Sequence, residues 1–130
     1  MPDQPAAAIV DQVRAALDAD DPTQFRALLH PDVQWGAPGD PSPGCQNRDQ
    51  VLAWYQRSRD EGVRARVTGA DVHGDKIVVS LRVTGRGVPD AGGAVERWQV
   101  LTVRDGRIAD IRAFERRDDA DAMASASDPR

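Results

Sequence analysis

The chain has 130 residues, long enough for one domain with a real core and too short for two. Charged residues make up 29% and apolar residues 40%, and no apolar run approaches the ~20 residues that span a bilayer, so no membrane partner is expected. With 17 basic against 21 acidic residues the net charge is −4, and a mildly acidic surface without a basic stripe argues against nucleic acid.

Met1 to Ala8 has neither a basic start nor an apolar centre long enough for a secretory signal, so cytoplasmic residence is the default. Cys45, the single cysteine, excludes an intrachain disulfide and a cysteine-based zinc site, and it fits a reducing compartment.

Ala6 to Ala19 carries Ile9, Val10, Val13, Ala16 and Leu17 at helical spacing, which predicts a first helix with one apolar stripe. Asp21-Pro22-Thr23-Gln24 has an acid at the cap, proline at the first helical position and glutamine three residues after the cap. A second, short helix is expected to about Leu29. His30-Pro31 stops it, because the residue before a proline is pushed out of the helical region. Val33 to Trp35 reads as a brief strand.

Gly36 to Cys45 holds three prolines and three glycines in ten residues and reads as a loop, a rim or lid. Asn47, with Gln50 three residues on, opens a third helix that carries Val51, Leu52, Trp54 and Tyr55 and ends at Gly62. From Val63 the period changes to two. Val63–His73, Lys76–Gly87, Ala94–Arg104 and Arg107–Arg116 read as four strands of an antiparallel meander, joined by Gly74-Asp75, a loop from Val88 to Gly93, and the strong hairpin signal Asp105-Gly106. Residues 1–120 are expected to form the domain and 121–130 a flexible tail; beyond Arg117 the chain is acidic and rich in alanine and serine, and reads as a frayed helix or as disordered.

A two-residue turn at Asp105-Gly106 would set Thr102 against Ala109, Val100 against Ile111, Trp98 against Ala113 and Glu96 against Glu115. Pairing Gly87 with Ala94 would bring Ile77, Val79, Leu81 and Val83 onto the same face as Trp98, Val100 and Thr102. The opposite face would carry Arg97, Gln99, Asp110 and Arg112 among Leu101, Val103, Ile108 and Phe114. A bulge near the hairpin would swap the last strand's faces.

Helix, short helix, a strand within HPDVQW, a loop leading into GCQNRDQVLAWY, and a meander closing on TVRDGRIADIRAF together resemble the nuclear transport factor 2-like superfamily, which includes SnoaL-like polyketide cyclases. The resemblance covers about Ala6 to Ala120. It implies an α+β fold in which a cone-shaped, curved antiparallel sheet wraps around three N-terminal helices and encloses a pocket. The superfamily includes steroid isomerases, epoxide hydrolases, dehydratases, polyketide cyclases and non-catalytic binding or dimerisation modules, so fold alone does not give function.

Carried over position by position, the resemblance places the isomerases' general-base aspartate near Trp35, their tyrosine near Val13 and their second acid near Val100. None of the three matches. The epoxide hydrolases' tryptophan-arginine-aspartate corresponds to Ile111-Arg112-Ala113, without the carboxylate. Dehydratases of this fold use paired histidines, whereas His30 and His73 sit beside a helix-ending proline and a turn and read as surface residues.

Glu96 and Glu115 are the candidate catalytic pair, since two carboxylates held close in a dry site share a proton and raise one pKa. The alternative is that both sit in solvent at splayed strand ends. The pocket is expected to be lined by Val79, Leu81, Trp98, Val100, Ile111 and Ala113 from the sheet and by Trp35, Trp54 or Tyr55 opposite, with Ala109, Ala113 and Thr102 leaving space. No metal or cofactor is implied. The expected ligand is a small apolar molecule acted on by a cofactor-free isomerase, cyclase or hydrolase, or simply bound. A homodimer through the sheet is expected from Leu101, Val103, Ile108 and Phe114 on the outer face.

Overall fold

A computed structural model of the chain describes residues 6–19, 22–36, 44–85 and 94–126. The elements in order are α1 (Ala6–Ala19), α2 (Pro22–Leu28), β1 (Leu29–Gly36), α3 (Arg48–Asp60), β2 (Arg64–His73), β3 (Lys76–Thr84), β4 (Ala94–Arg104), β5 (Arg107–Phe114) and α4 (Arg117–Ala126). The expected Asp21 cap, most of the Gly36–Cys45 loop, the Val88–Gly93 loop and the last four tail residues lie outside the described residues.

Five strands form one curved, open sheet in the order β1-β5-β4-β3-β2. The meander β2 to β5 is antiparallel throughout, as expected. β1 is longer than the Val33–Trp35 reading and runs parallel to β5, with Trp35 beside Ile111.

Local chemistry explains the helices. The Asn47 side chain accepts from the Gln50 N–H at 2.9 Å, pairing one free donor of the first turn of α3, while the Gln50 carboxamide reaches back to accept from the Gln46 N–H at 2.8 Å. Gly62, at φ +89°, ends it in a conformation that L side chains resist. On α1 the predicted stripe is real: Ile9, Val13 and Ala16 are buried and join Phe25, Leu28, Leu29, Val33 and Val51 over the concave side of the sheet.

The Asp105-Gly106 hairpin forms as predicted. Both residues have positive φ, 56° and 75°, and Arg104 faces Arg107, the signature of the turn whose twist suits adjoining strands. Two steps later the ladder changes. Val103 pairs with Ile108 but Thr102 pairs with Asp110, so Ala109 is an extra, bulged residue. The expected Thr102–Ala109, Val100–Ile111 and Trp98–Ala113 pairs are each replaced by neighbours one residue on: Thr102–Asp110, Val100–Arg112 and Trp98–Phe114.

The other correction lies between β3 and β4. Ala94 pairs with Thr84 rather than Gly87, and Val79 faces Gln99 while Leu81 faces Arg97. This odd shift reverses β4, and the bulge then reverses β5, so Ile111 and Ala113 return to the concave face while Trp98 and Val100 do not. The physical reason is α4. Residues 121–126, expected as flexible tail, complete this helix. It lies on the convex face, where Val78, Val100, Phe114, Ala120 and Ala124 form a second buried cluster with Trp98 and Met123 packed against it. Both faces of β4 are therefore dry there, and alternation alone cannot choose between them.

Candidate functional site

The concave face leaves a cavity of about 340 Å³ between the sheet and helices α1 to α3. Its sheet wall comes from Val79, Leu81 and Val83 on β3, Arg97, Gln99 and Leu101 on β4, and Ile108, Ile111 and Ala113 on β5. Val13, Phe25, Tyr55, Ser58 and Arg59 close it from the helices. A wider cleft of about 780 Å³, reaching Gly44, Cys45, Glu115, Arg116 and Asp119, lies outside it. Trp35, Trp54, Arg97 and Ala113 line both spaces, so they mark the passage between them.

Aromatic contacts fix the helical wall. Trp35 and Trp54 pack with ring centroids 4.7 Å apart, Phe25 and Tyr55 at 4.8 Å, distances at which tilted rings attract. Trp35 is held from the far side by a backbone bridge: its N–H donates to the Cys45 carbonyl at 2.9 Å, and the Cys45 N–H returns a bond at 3.1 Å. The Cys45 thiol points at the Gln50 carbonyl, 3.7 Å away. Burial pushes it above its ordinary pKa of 9.0, which leaves it protonated and weakly nucleophilic near neutral pH.

The inner cavity is apolar except at a few points, and its charged lining is cationic: Arg59 and Arg97. The Arg59 guanidinium lies 5.9 Å from the Tyr55 ring centroid. Arg97 donates to the Glu96 backbone carbonyl at 2.9 Å and, among the described residues, forms no ion pair. Gln99, two residues along β4, shares its face.

Of the nine residues expected to line a ligand pocket, Trp35, Trp54, Tyr55, Val79, Leu81, Ile111 and Ala113 stand around this cavity. Trp98 and Val100 lie on the convex face beneath α4. Of the residues meant to leave space, only Ala113 does so. Thr102 instead accepts from the Lys76 ammonium at 3.1 Å, and Ala109 is the buried bulge residue.

Glu96 and Glu115 are not brought together. Glu96 is exposed on the convex face opposite Arg82, and Glu115 is exposed in the outer cleft. The shared-proton pair required the unshifted register, which the bulge removes. His30 and His73 line neither space; His30 Nε2 sits 3.6 Å from an Asp105 carboxylate oxygen. Among the described residues no group of three or more histidine, cysteine or acidic side chains is placed to hold a metal ion.

Arg59, Arg97 and Gln99 are the site residues that alternation missed. In Val95-Glu96-Arg97-Trp98-Gln99-Val100 the polar members read as outward, and the larger apolar ones claim the core. The available signal was that α4 repeats apolar residues at helical spacing, Ala120, Met123 and Ala124, giving Trp98 and Val100 a second home.

The SnoaL-like domain model matches residues 10–111. Among solved structures, a candidate polyketide cyclase from Sinorhizobium meliloti is 25% identical over 82% of this chain and 93% of its own, with a TM-score of 0.66. A candidate ketosteroid isomerase from Kribbella flavida is 22% identical over 82% and 74%, at 0.68. A Catenulispora acidiphila protein of ketosteroid isomerase-like fold, solved with trimethylamine, is 20% identical over 90% and 92%, at 0.65. No curated protein matches the chain in sequence.

Proposed function

The chain belongs to the SnoaL-like domain family, and from that premise we propose that it binds a small, predominantly apolar molecule in the concave cavity. The observation that carries this reading is the cavity itself: about 340 Å³ walled mainly by aliphatic and aromatic side chains, with a few polar groups converging on it. Ligand sites run from roughly 300 to 1,000 Å³ with that kind of wall. The relatives described as polyketide cyclase and ketosteroid isomerase act on ligands of this broad type by their names, which supports the reading without assigning their reactions here.

Catalysis, in this reading, is cofactor-free isomerisation, cyclisation or hydrolysis. Arg97 stabilises developing negative charge on a substrate oxygen and Glu115, across the passage, exchanges the proton. What supports this pairing is that both residues line the same outer cleft. Solvent deuterium incorporation next to the carbonyl of a bound ketone tests it. Exchange lost in Glu115→Gln with binding intact supports catalysis; exchange absent from the wild-type protein with binding intact leaves a non-catalytic binding module.

That second reading, a binding module, is favoured by the lining of the inner cavity, which among the described residues includes no acidic or histidine side chain. Its dimerisation variant has less support. Leu101 and Ile108 are buried in the concave core with Val103 packed against it, and Phe114 is buried beneath α4. The single cysteine of the sequence fits a reducing compartment, and on that ground the cytoplasm is the proposed location; among the described residues no helix is long and apolar enough to cross a membrane.

A further inference from the structure

We propose that the ligand of this cavity is a carboxylic acid, its carboxylate anchored on Arg97 at the passage and its hydrocarbon part in the inner cavity. The proposal rests on the binding-module reading of the cavity, in which Arg97 anchors the ligand rather than stabilising a reacting oxygen, and adds the chemical class. Several observations converge on it.

The charged groups lining the inner cavity are both guanidinium groups, Arg59 and Arg97. Arg97 is half-buried and meets only a backbone carbonyl among the described residues. A cation drawn partly out of water beside an apolar wall gains most from an anion that completes its hydrogen bonds. A guanidinium presents a planar fork that matches a carboxylate with two parallel bonds.

Position supplies the orientation. Arg97 lines both the cavity and the cleft, so an acid held there projects its body inward past Leu81 and Ile111. Gln99, next on the same strand face, adds an amide donor. Outside the passage stand Glu115, Arg116 and Asp119, exposed groups of both signs, so the two guanidinium groups of the inner cavity are its distinctive charge. The inner volume of about 340 Å³ lies in the roughly 300–1,000 Å³ range of small-molecule sites and has room for the hydrocarbon part of an acid such as phenylacetic acid.

Three probes that share a benzyl body separate the claims: ethylbenzene, 2-phenylacetamide and phenylacetate, each titrated against the full chain by tryptophan fluorescence and by amide chemical shifts. In the wild-type protein phenylacetate should bind about tenfold or more tighter than the amide, the scale of a charge-assisted pair. Arg97→Gln should bring that ratio close to one. Arg97→Lys keeps the charge, loses the fork and should fall between; it carries the test should the glutamine variant not fold. Equal affinity for acid and amide, or a ratio that survives Arg97→Gln, overturns the anchor while ethylbenzene binding leaves the cavity reading standing. Failure of all three probes at millimolar concentration overturns the cavity reading and the proposal together.

Discussion

Trp35 at the end of β1 and Trp54 on α3 pack with ring centroids 4.7 Å apart and planes tilted by 55°, closing one side of the passage between cavity and cleft. The Cys45 bridge fixes Trp35, whereas Trp54 is 47% exposed. Trp54 is therefore the movable half of the pair.

Replacing Trp54 with alanine should widen the passage and raise both association and dissociation rates of a cavity ligand more than it changes affinity. Trp→Ala in a core costs about 3–5 kcal/mol; with half the ring in water, about 1–2 kcal/mol is expected here. Stopped-flow fluorescence of Trp35 gives the rates and denaturant unfolding the stability. Unchanged rates would mean that ligands enter elsewhere.

Ala113 faces Gln99 across the ladder and lines both spaces. Its side chain is exposed to the void, so the ring of Ala113→Phe has room to enter the passage. Ligand binding should be lost with little change in unfolding midpoint. Overpacking a filled core would instead cost about 1–3 kcal/mol, and a drop of that size would show that the space is not there.

Much of the fold was legible because its signals were local. The α3 cap at Asn47 and the hairpin at Asp105-Gly106 each follow from a few adjacent residues. The site was harder because it depends on parity. Which of Arg97 and Trp98 faces the cavity is decided by where β3 ends and by one bulged residue, Ala109. Neither leaves a mark in hydrophobic alternation when α4 makes the far face dry as well. Ile111 and Ala113 were placed correctly because the two odd shifts cancel at β5. Glu96 and Glu115 sit across a single shift and were separated by it.

Gly85 ends β3 at φ +127°, and a Cβ there would run into the Gly62 carbonyl. The end of α3 and the end of β3 approach this closely because Gly85 lacks a side chain, whereas a Cβ on Gly62 would meet nothing within 4 Å. Gly85→Ala should destabilise by more than about 1 kcal/mol, beyond the effect of chain entropy alone, and should loosen the Thr84–Ala94 register that orients Arg97. Thermal unfolding reads the first, and a weakened preference for phenylacetate over its amide reads the second.

Cys45 supplies a pH dependence. Burial raises its folded pKa above the ordinary 9.0, so the folded state holds the proton more tightly than the unfolded chain. Its stabilising contribution is complete below the unfolded pKa and is lost as pH rises through the folded one. Stability should fall in that alkaline window, and Cys45→Ala should lack this component. Iodoacetamide should label Cys45 more slowly than a cysteine in an unstructured peptide at the same pH; equal rates would mean that the thiol is not shielded.

The convex face gives the last test. Ala124 is 1% exposed against Val78, Val100 and Phe114, and the start of α4 is tied down by Arg117 to Asp71 at 2.9 Å. That exposed pair contributes at most about 1 kcal/mol, so the buried face of the helix holds it in place. Ala124→Asp puts a charge into this apolar contact, where an unpaired ion is strongly disfavoured. α4 should detach and leave Val78, Val100, Trp98 and Phe114 open to water. An apolar patch of that kind favours self-association, so light scattering should show mass rising with concentration in the variant more than in the wild-type chain. The cavity is on the other side of the sheet, so ethylbenzene should still bind. Loss of binding together with detachment would mean that α4 supports the concave face through the sheet, and the two faces could no longer be treated as independent.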